Sequence, residues 1–238
     1  MQLNKNTNWA IFIIAFIVFA IWQSPSLGGI RYPFILLGTW FHEMGHGLTA
    51  LALGARFEYL EIFENGGGVA YTSYPINNLF LPLNITRALV GAGGLLGPCF
   101  MGAFLILAAT KHQSALWMLR FLIISIVLSL IIWVRSTIGI LVLAGIATIL
   151  LLILLSKKTN LIIWTALFLG LQSTLSTYLQ LNYLFTGTFI RDGKERVSDT
   201  QLIANNLFGT YWFWAFVIIF ISAFILWKSY RYYLKKTL

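Results

Sequence analysis

Apolar runs long enough to cross a bilayer recur from one end of this chain to the other, and that feature most restricts its fold. A span needs about 20 mainly apolar residues in helical form. In lipid, every backbone polar group must also find its partner inside the protein. The runs cover residues 9–22, 30–53, 85–109, 115–133, 137–155, 161–184 and 210–227. Hydrophobic residues make up 59% of the 238, charged residues 10%, and the mean hydropathy is +0.83. That leaves too little polar material to cover a soluble domain. The expected fold is an all-α polytopic membrane protein of about six to seven transmembrane helices. It forms a single membrane-embedded domain over residues 1–238.

The first run is flanked by Lys5, as a signal peptide would be. No small-x-small site precedes Gln23-Ser24-Pro25, and bulky Trp22 ends the run, so an uncleaved first span is expected. The segment 55–82 differs from its neighbours. It holds Glu58, Glu61, Glu64, Gly66 to Gly68 and two prolines. Imperfect alternation over 56–63, then glycines and Val69-Ala70-Tyr71-Thr72, predicts a small β-hairpin after the second run. The glycines serve either as its turn or as a flexible loop. Residues 185–208 read as a polar loop before the last run. The run over 161–184 carries a polar stripe of Gln172, Ser173, Ser176, Thr177 and Gln180.

The net charge of +9 points away from nucleic acid here. The basic residues lie between apolar runs and at the C-terminus, where they act as topology signals and lipid-headgroup contacts. Lys157, Lys158 and the tail residues Lys228, Arg231, Lys235 and Lys236 favour an inside C-terminus. Tyr230, Tyr232 and Tyr233 suit a membrane interface. The bilayer is therefore one expected partner. A single cysteine, Cys99, excludes an intrachain disulfide and a cysteine-based zinc site.

The segment Trp40-Phe41-His42-Glu43-Met44-Gly45-His46-Gly47 lies within the second apolar run. On a helix, histidines at i and i+4 point the same way, close enough to share one metal ion. Imidazole suits zinc. In this motif the glutamate stands beside the water that the metal acidifies, where it acts as the base. An acidic residue inside a span costs about 2.5–3.5 kcal/mol on insertion scales, so such residues tend to be functional. A hydrogen-bonded polar cluster and a haem ligand pair are the competing readings.

Zinc needs a third protein ligand and an open fourth position. The acidic residues are Glu43, Glu58, Glu61, Glu64, Asp192, Glu195 and Asp199, and the third histidine is His112. The hairpin glutamates read as a solvated face. His112 falls at the opposite membrane face from the end of the second run. Asp192 and Asp199 fall on the matching face, and Asp199 is nearer the last span. Ser198 or Asp199 equally suits a helix cap.

HEMGHGLTALALGARF, GGGVAYTSY, GAGGLLGPCFMGAFL and the late SDTQLIA together resemble the bacterial M50B-like branch of the M50, site-2-protease-like intramembrane metallopeptidases. The matching pieces spread over about residues 38–204. Better-known members carry an NPDG- or LDG-like sequence where this chain has SDT. The resemblance implies His42, His46 and Asp199 as ligands of one Zn2+ and Glu43 as catalytic base. It also implies a membrane-protein substrate and a multi-pass location in a bacterial cytoplasmic membrane. A transporter or channel lined by the polar stripe, and a catalytically silent scaffold, are the alternatives. The hairpin offers an edge to which a substrate can add as a strand.

Overall fold

The computed structural model describes residues 28–179, 181–191 and 194–237, with Ile13, Phe16 and Ala20 of the first run. The expected first span otherwise lies outside the described residues, as do Gln180 and Asp192. Helix α1 (Gly28–Ala52) leads into a hairpin of β1 (Arg56–Ile62) and β2 (Gly68–Ser73). Helices α2 (Leu83–Ala108), α3 (His112–Ile132), α4 (Thr137–Leu155) and α5 (Thr159–Leu179) follow. A short α6 (Leu181–Leu184), a second hairpin of β3 (Thr188–Arg191) and β4 (Lys194–Val197), and α7 (Asp199–Asn206) precede the last helix, α8 (Tyr211–Thr237).

Among the described residues, five helical stretches are long and apolar enough to cross a membrane: α2, α3, α4, α5 with α6, and α8. Helix α1 is not one of them, since Arg31, His42, Glu43 and His46 interrupt its apolar face. Its partners explain how it is accommodated. It packs most closely on α2, where a Cβ on Gly45 would strike the Gly93 carbonyl and a Cβ on Gly97 would lie 2.8 Å from the Phe41 carbonyl. Side-chain-free surfaces let two helix backbones touch, as membrane helices do at small-residue interfaces. The main core gathers Leu36, Trp40, Phe57, Leu60, Leu119 and Ile126 from α1, the hairpin and α3. Trp40 Nε1 donates to Ser129 Oγ across that core at 3.0 Å.

The first hairpin forms where the sequence predicts it, and it folds back along α1. Gly66, with φ +90°, makes the turn, and Gly68 already belongs to β2, so the three glycines divide between turn and strand. Phe57 packs at Gly47, the Thr39 hydroxyl donates to the Gly66 carbonyl, and Tyr32 Oη donates to the Glu64 carbonyl at 3.0 Å. From Ala52 back to Tyr32 is about 30 Å of helix axis. The hairpin thus descends beside α1 to membrane depth, where an unpaired strand edge is costly. The turn between α3 and α4 occupies the outer edge of β1: Leu60 N donates to the Trp133 carbonyl at 2.9 Å, and Arg135 N donates to the Leu60 carbonyl at 3.0 Å. Ile62 N donates to Ser136 Oγ at 2.8 Å. Leu60 stands opposite Ala70. Because Leu60 turns its polar groups away from β2, Ala70 turns its own away from β1, onto the outer edge of β2.

The segment read as a polar loop, 185–208, is folded. Thr188–Arg191 and Lys194–Val197 pair antiparallel, and α7 follows. Short strands dense in charge carry little of the apolar alternation that marks a hairpin in sequence. Within the polar stripe of α5, Gln172, Ser173 and Ser176 are buried. Ser176 packs on Gly38 of α1, with Cβ-to-Cβ spacing of 3.6 Å for an added methyl.

Candidate metal centre

His42 and His46 lie one turn apart on α1, and their ring centroids are 4.6 Å apart. Asp199 opens α7, which starts one residue after the second hairpin. Ser198 caps that helix: its hydroxyl accepts from Gln201 N at 3.2 Å and donates to the Thr186 carbonyl. Thr200 Oγ1 donates to the Leu184 carbonyl at 3.0 Å. These bonds fix the first turn of α7 against the end of α6. Ser198 therefore takes the capping role, and the Asp199 side chain is left to face α1.

The structure brings the three residues together. Asp199 Oδ2 is 3.0 Å from His42 Nε2 and 3.4 Å from His46 Nε2, and the two Nε2 atoms are 3.0 Å apart. Burial resists ionisation of the Asp199 carboxyl, but the adjoining His46 and His42, where they carry a proton on Nε2, hold it below the ordinary carboxylate range. His46 Nδ1 donates to the Val90 carbonyl of α2 at 2.8 Å. That bond leaves Nε2 as the lone-pair nitrogen aimed at His42 and Asp199. Gly94, one turn further along α2, lies flat against the His46 ring, and a Cβ there would overlap it.

Glu43 is 4% exposed and lies beside this group without joining it. The Ala70 backbone of β2 lies against its carboxylate. Gly68 leaves room for it, since a Cβ there would stand 2.8 Å from Glu43 Oε1. A narrow cleft lined by Gly38, His42, Leu95, Ser176 and Tyr183 opens next to the histidines.

A family model described as Peptidase M50B-like matches residues 10–229. The chain belongs to the Peptidase M50B-like family. No curated protein and no solved structure matches it. The family is one of metallopeptidases, and the His42, His46 and Asp199 ligand atoms all lie within 4.8 Å of one another, as a metal site requires. In a tetrahedral zinc site, ligand atoms about 2.05 Å from the ion stand about 3.3 Å apart. The observed 3.0, 3.0 and 3.4 Å bracket that value. Two imidazoles and one carboxylate are also a donor set that borderline-soft divalent ions accept.

The other residues weighed from sequence lie elsewhere. Glu58 accepts from Ser73 Oγ at 2.7 Å and Glu61 from Tyr71 Oη at 3.0 Å, both on the hairpin surface. His112 begins α3 at the far end of the bundle. Two features of this M50B-like chain were not read from sequence. Tyr183 Oη donates to Asp199 Oδ2 at 3.0 Å, and the Val90 carbonyl orients His46. A backbone carbonyl carries no sequence signal, and Tyr183 is one of ten tyrosines with no motif around it.

Proposed function

We propose that this protein is a zinc-dependent intramembrane endopeptidase that cuts a membrane-associated protein near α1. The observation that carries this reading is the meeting of Asp199 with His42 and His46 at 3.0 and 3.4 Å, beside a buried carboxylate that does not take part. His42, His46 and Asp199 hold the ion, and zinc bound there supplies a Lewis acid that acidifies water and polarises a carbonyl. Glu43 takes a proton from the attacking water and delivers it to the leaving amine. The Ala70 backbone of β2 stands beside the Glu43 carboxylate. Tyr183 holds the Asp199 carboxylate by its Oδ2 atom, and Val90 holds the His46 ring.

The outer edge of β2 supports the substrate class. It runs past Glu43 at membrane depth, and β2 is an edge strand of a two-stranded sheet. Such an edge is tolerated in a membrane only where it lines protein or a wet cavity. An unwound stretch of a substrate helix adds to this edge as a strand, which sets its backbone across the cleft. The family match favours a peptidase over a transporter lined by the α5 polar stripe.

The test is cleavage of a membrane-protein substrate by wild type and Glu43→Gln, with zinc measured in both. We expect zinc to be retained and cleavage to fall by about 10²-fold or more in Glu43→Gln. Equal cleavage by the two proteins would remove Glu43 as the base.

A further inference from the structure

A cleft remote from the histidines opens between the α2–α3 turn and the last turns of α8. Its walls carry Lys111, Trp227, Lys228, Arg231, Tyr232 and Lys235. From Val90, which touches His46, to Leu107 at this cleft is about 25 Å along α2. That is close to the thickness of the hydrocarbon core, about 30 Å. The cleft and the metal centre therefore sit toward opposite faces of the bilayer.

Lys111, Lys228, Arg231 and Lys235 bring four cations to the walls, and no acidic residue lines them. Among the described residues, no carboxylate pairs with any of the four. Two of them, Lys228 and Arg231, make aromatic contacts. The Lys228 ammonium lies 5.3 Å from the Phe224 ring centre and 5.4 Å from that of Trp227, and the Arg231 guanidinium lies 5.3 Å from Trp227. Such contacts neutralise no charge and leave N–H donors unspent. Lys235 is accounted for by the negative end of the α8 dipole. Lys111 comes from another helix pair, so the dipole does not explain it.

What leads away from the cleft decides the ligand. Phe216, Phe220, Phe224 and Trp227 are 58%, 73%, 49% and 46% exposed and follow one another along one face of α8. Trp227 belongs to both the stripe and the cleft. An anion with apolar chains matches both features, whereas a small soluble anion has no use for the stripe. We propose that the cleft binds the phosphate headgroup of an anionic phospholipid, with its acyl chains along the Phe216–Trp227 face. Basic pockets between membrane helices at the headgroup level recognise such lipids.

Native mass spectrometry of the purified full chain tests this, in detergent with equal phosphatidylglycerol and phosphatidylcholine. Wild type is expected to retain phosphatidylglycerol in preference. The double variant Arg231→Gln/Lys235→Gln should weaken that preference by about fivefold per cation removed. The pair Lys157→Gln/Lys158→Gln removes equal charge from the α4–α5 turn at the same membrane face and should leave it unchanged. Excess inorganic phosphate should not displace the lipid. Lys111→Gln, on the opposite wall, repeats the test should the double variant lose its thermal transition. An unchanged preference in the cleft variants would overturn the proposal. So would an equal loss in Lys157→Gln/Lys158→Gln, which would signal diffuse charge, and so would displacement by phosphate.

Discussion

Tyr183 Oη donates to Asp199 Oδ2, and a phenylalanine would remove that bond while keeping the ring. Partners of this kind fix a ligand's orientation, and losing them costs about 10- to 100-fold in metal affinity or activity. Tyr183→Phe should lose cleavage on that scale, read from initial rates alongside zinc titration; unaltered rates and affinity would show that Asp199 needs no such support. Gly94→Ala makes a sharper case. Its Cβ would overlap the His46 ring, whereas a Cβ on Gly145 meets nothing within 4 Å. Gly94→Ala should lose zinc and Gly145→Ala keep it, measured by metal content after purification. At this scale the sequence was legible where chemistry is local. His42, Glu43 and His46 declare themselves by spacing on one helix. Counting acidic residues and following which face of the membrane each span returns to narrowed the third ligand to Asp192 and Asp199, and the family resemblance singled out Asp199. Tyr183 and Val90 act only through contacts between elements, so no local pattern marks them.

At the scale of elements, β2 joins the fold to the chemistry. Its inner edge pairs with β1, and Ala70 turns outward toward Glu43. Ala70→Pro deletes the outward N–H without removing a bond of the β1–β2 ladder, the arrangement in which proline is tolerated on a strand edge. Zinc content should stay, and cleavage should fall about tenfold or more, since a hydrogen bond to a charged group contributes about 1.5–3 kcal/mol. Undiminished cleavage would separate the β2 edge from catalysis. The glycines and alternation near residues 56–72 foretell this hairpin, but not its descent along α1. That descent depends on Tyr32, Thr39 and Ser136, which reach it from distant parts of the chain. The second hairpin escaped because its short strands, Thr188–Arg191 and Lys194–Val197, mix charge with few apolar residues.

At the scale of the whole molecule, the order of the spans places the start of the first hairpin, the second hairpin and α7 at one membrane face. The α2–α3 turn, the α4–α5 turn and the end of α8 lie at the other. Native Cys99 is buried, so introduced cysteines report on their own positions. Glu58→Cys and Glu195→Cys should react with an impermeant maleimide from one side of sealed vesicles, and Lys157→Cys and Lys236→Cys only from the other. Labelling of Glu195→Cys and Lys157→Cys from the same side would contradict this arrangement. The apolar runs made the helical membrane fold legible, because the length of a span and the need to satisfy its backbone are general constraints. How the spans cross was less so, since it turns on glycines such as Gly45 and Gly93 meeting in space.

All three scales rest on one claim, that α1 and α7 together hold a zinc ion. Metal analysis of purified wild type and His46→Ala tests it most directly. One zinc per chain is expected in wild type and its loss in His46→Ala, with the folded helical signal unchanged. Wild type without zinc, or His46→Ala with undiminished zinc, would contradict it.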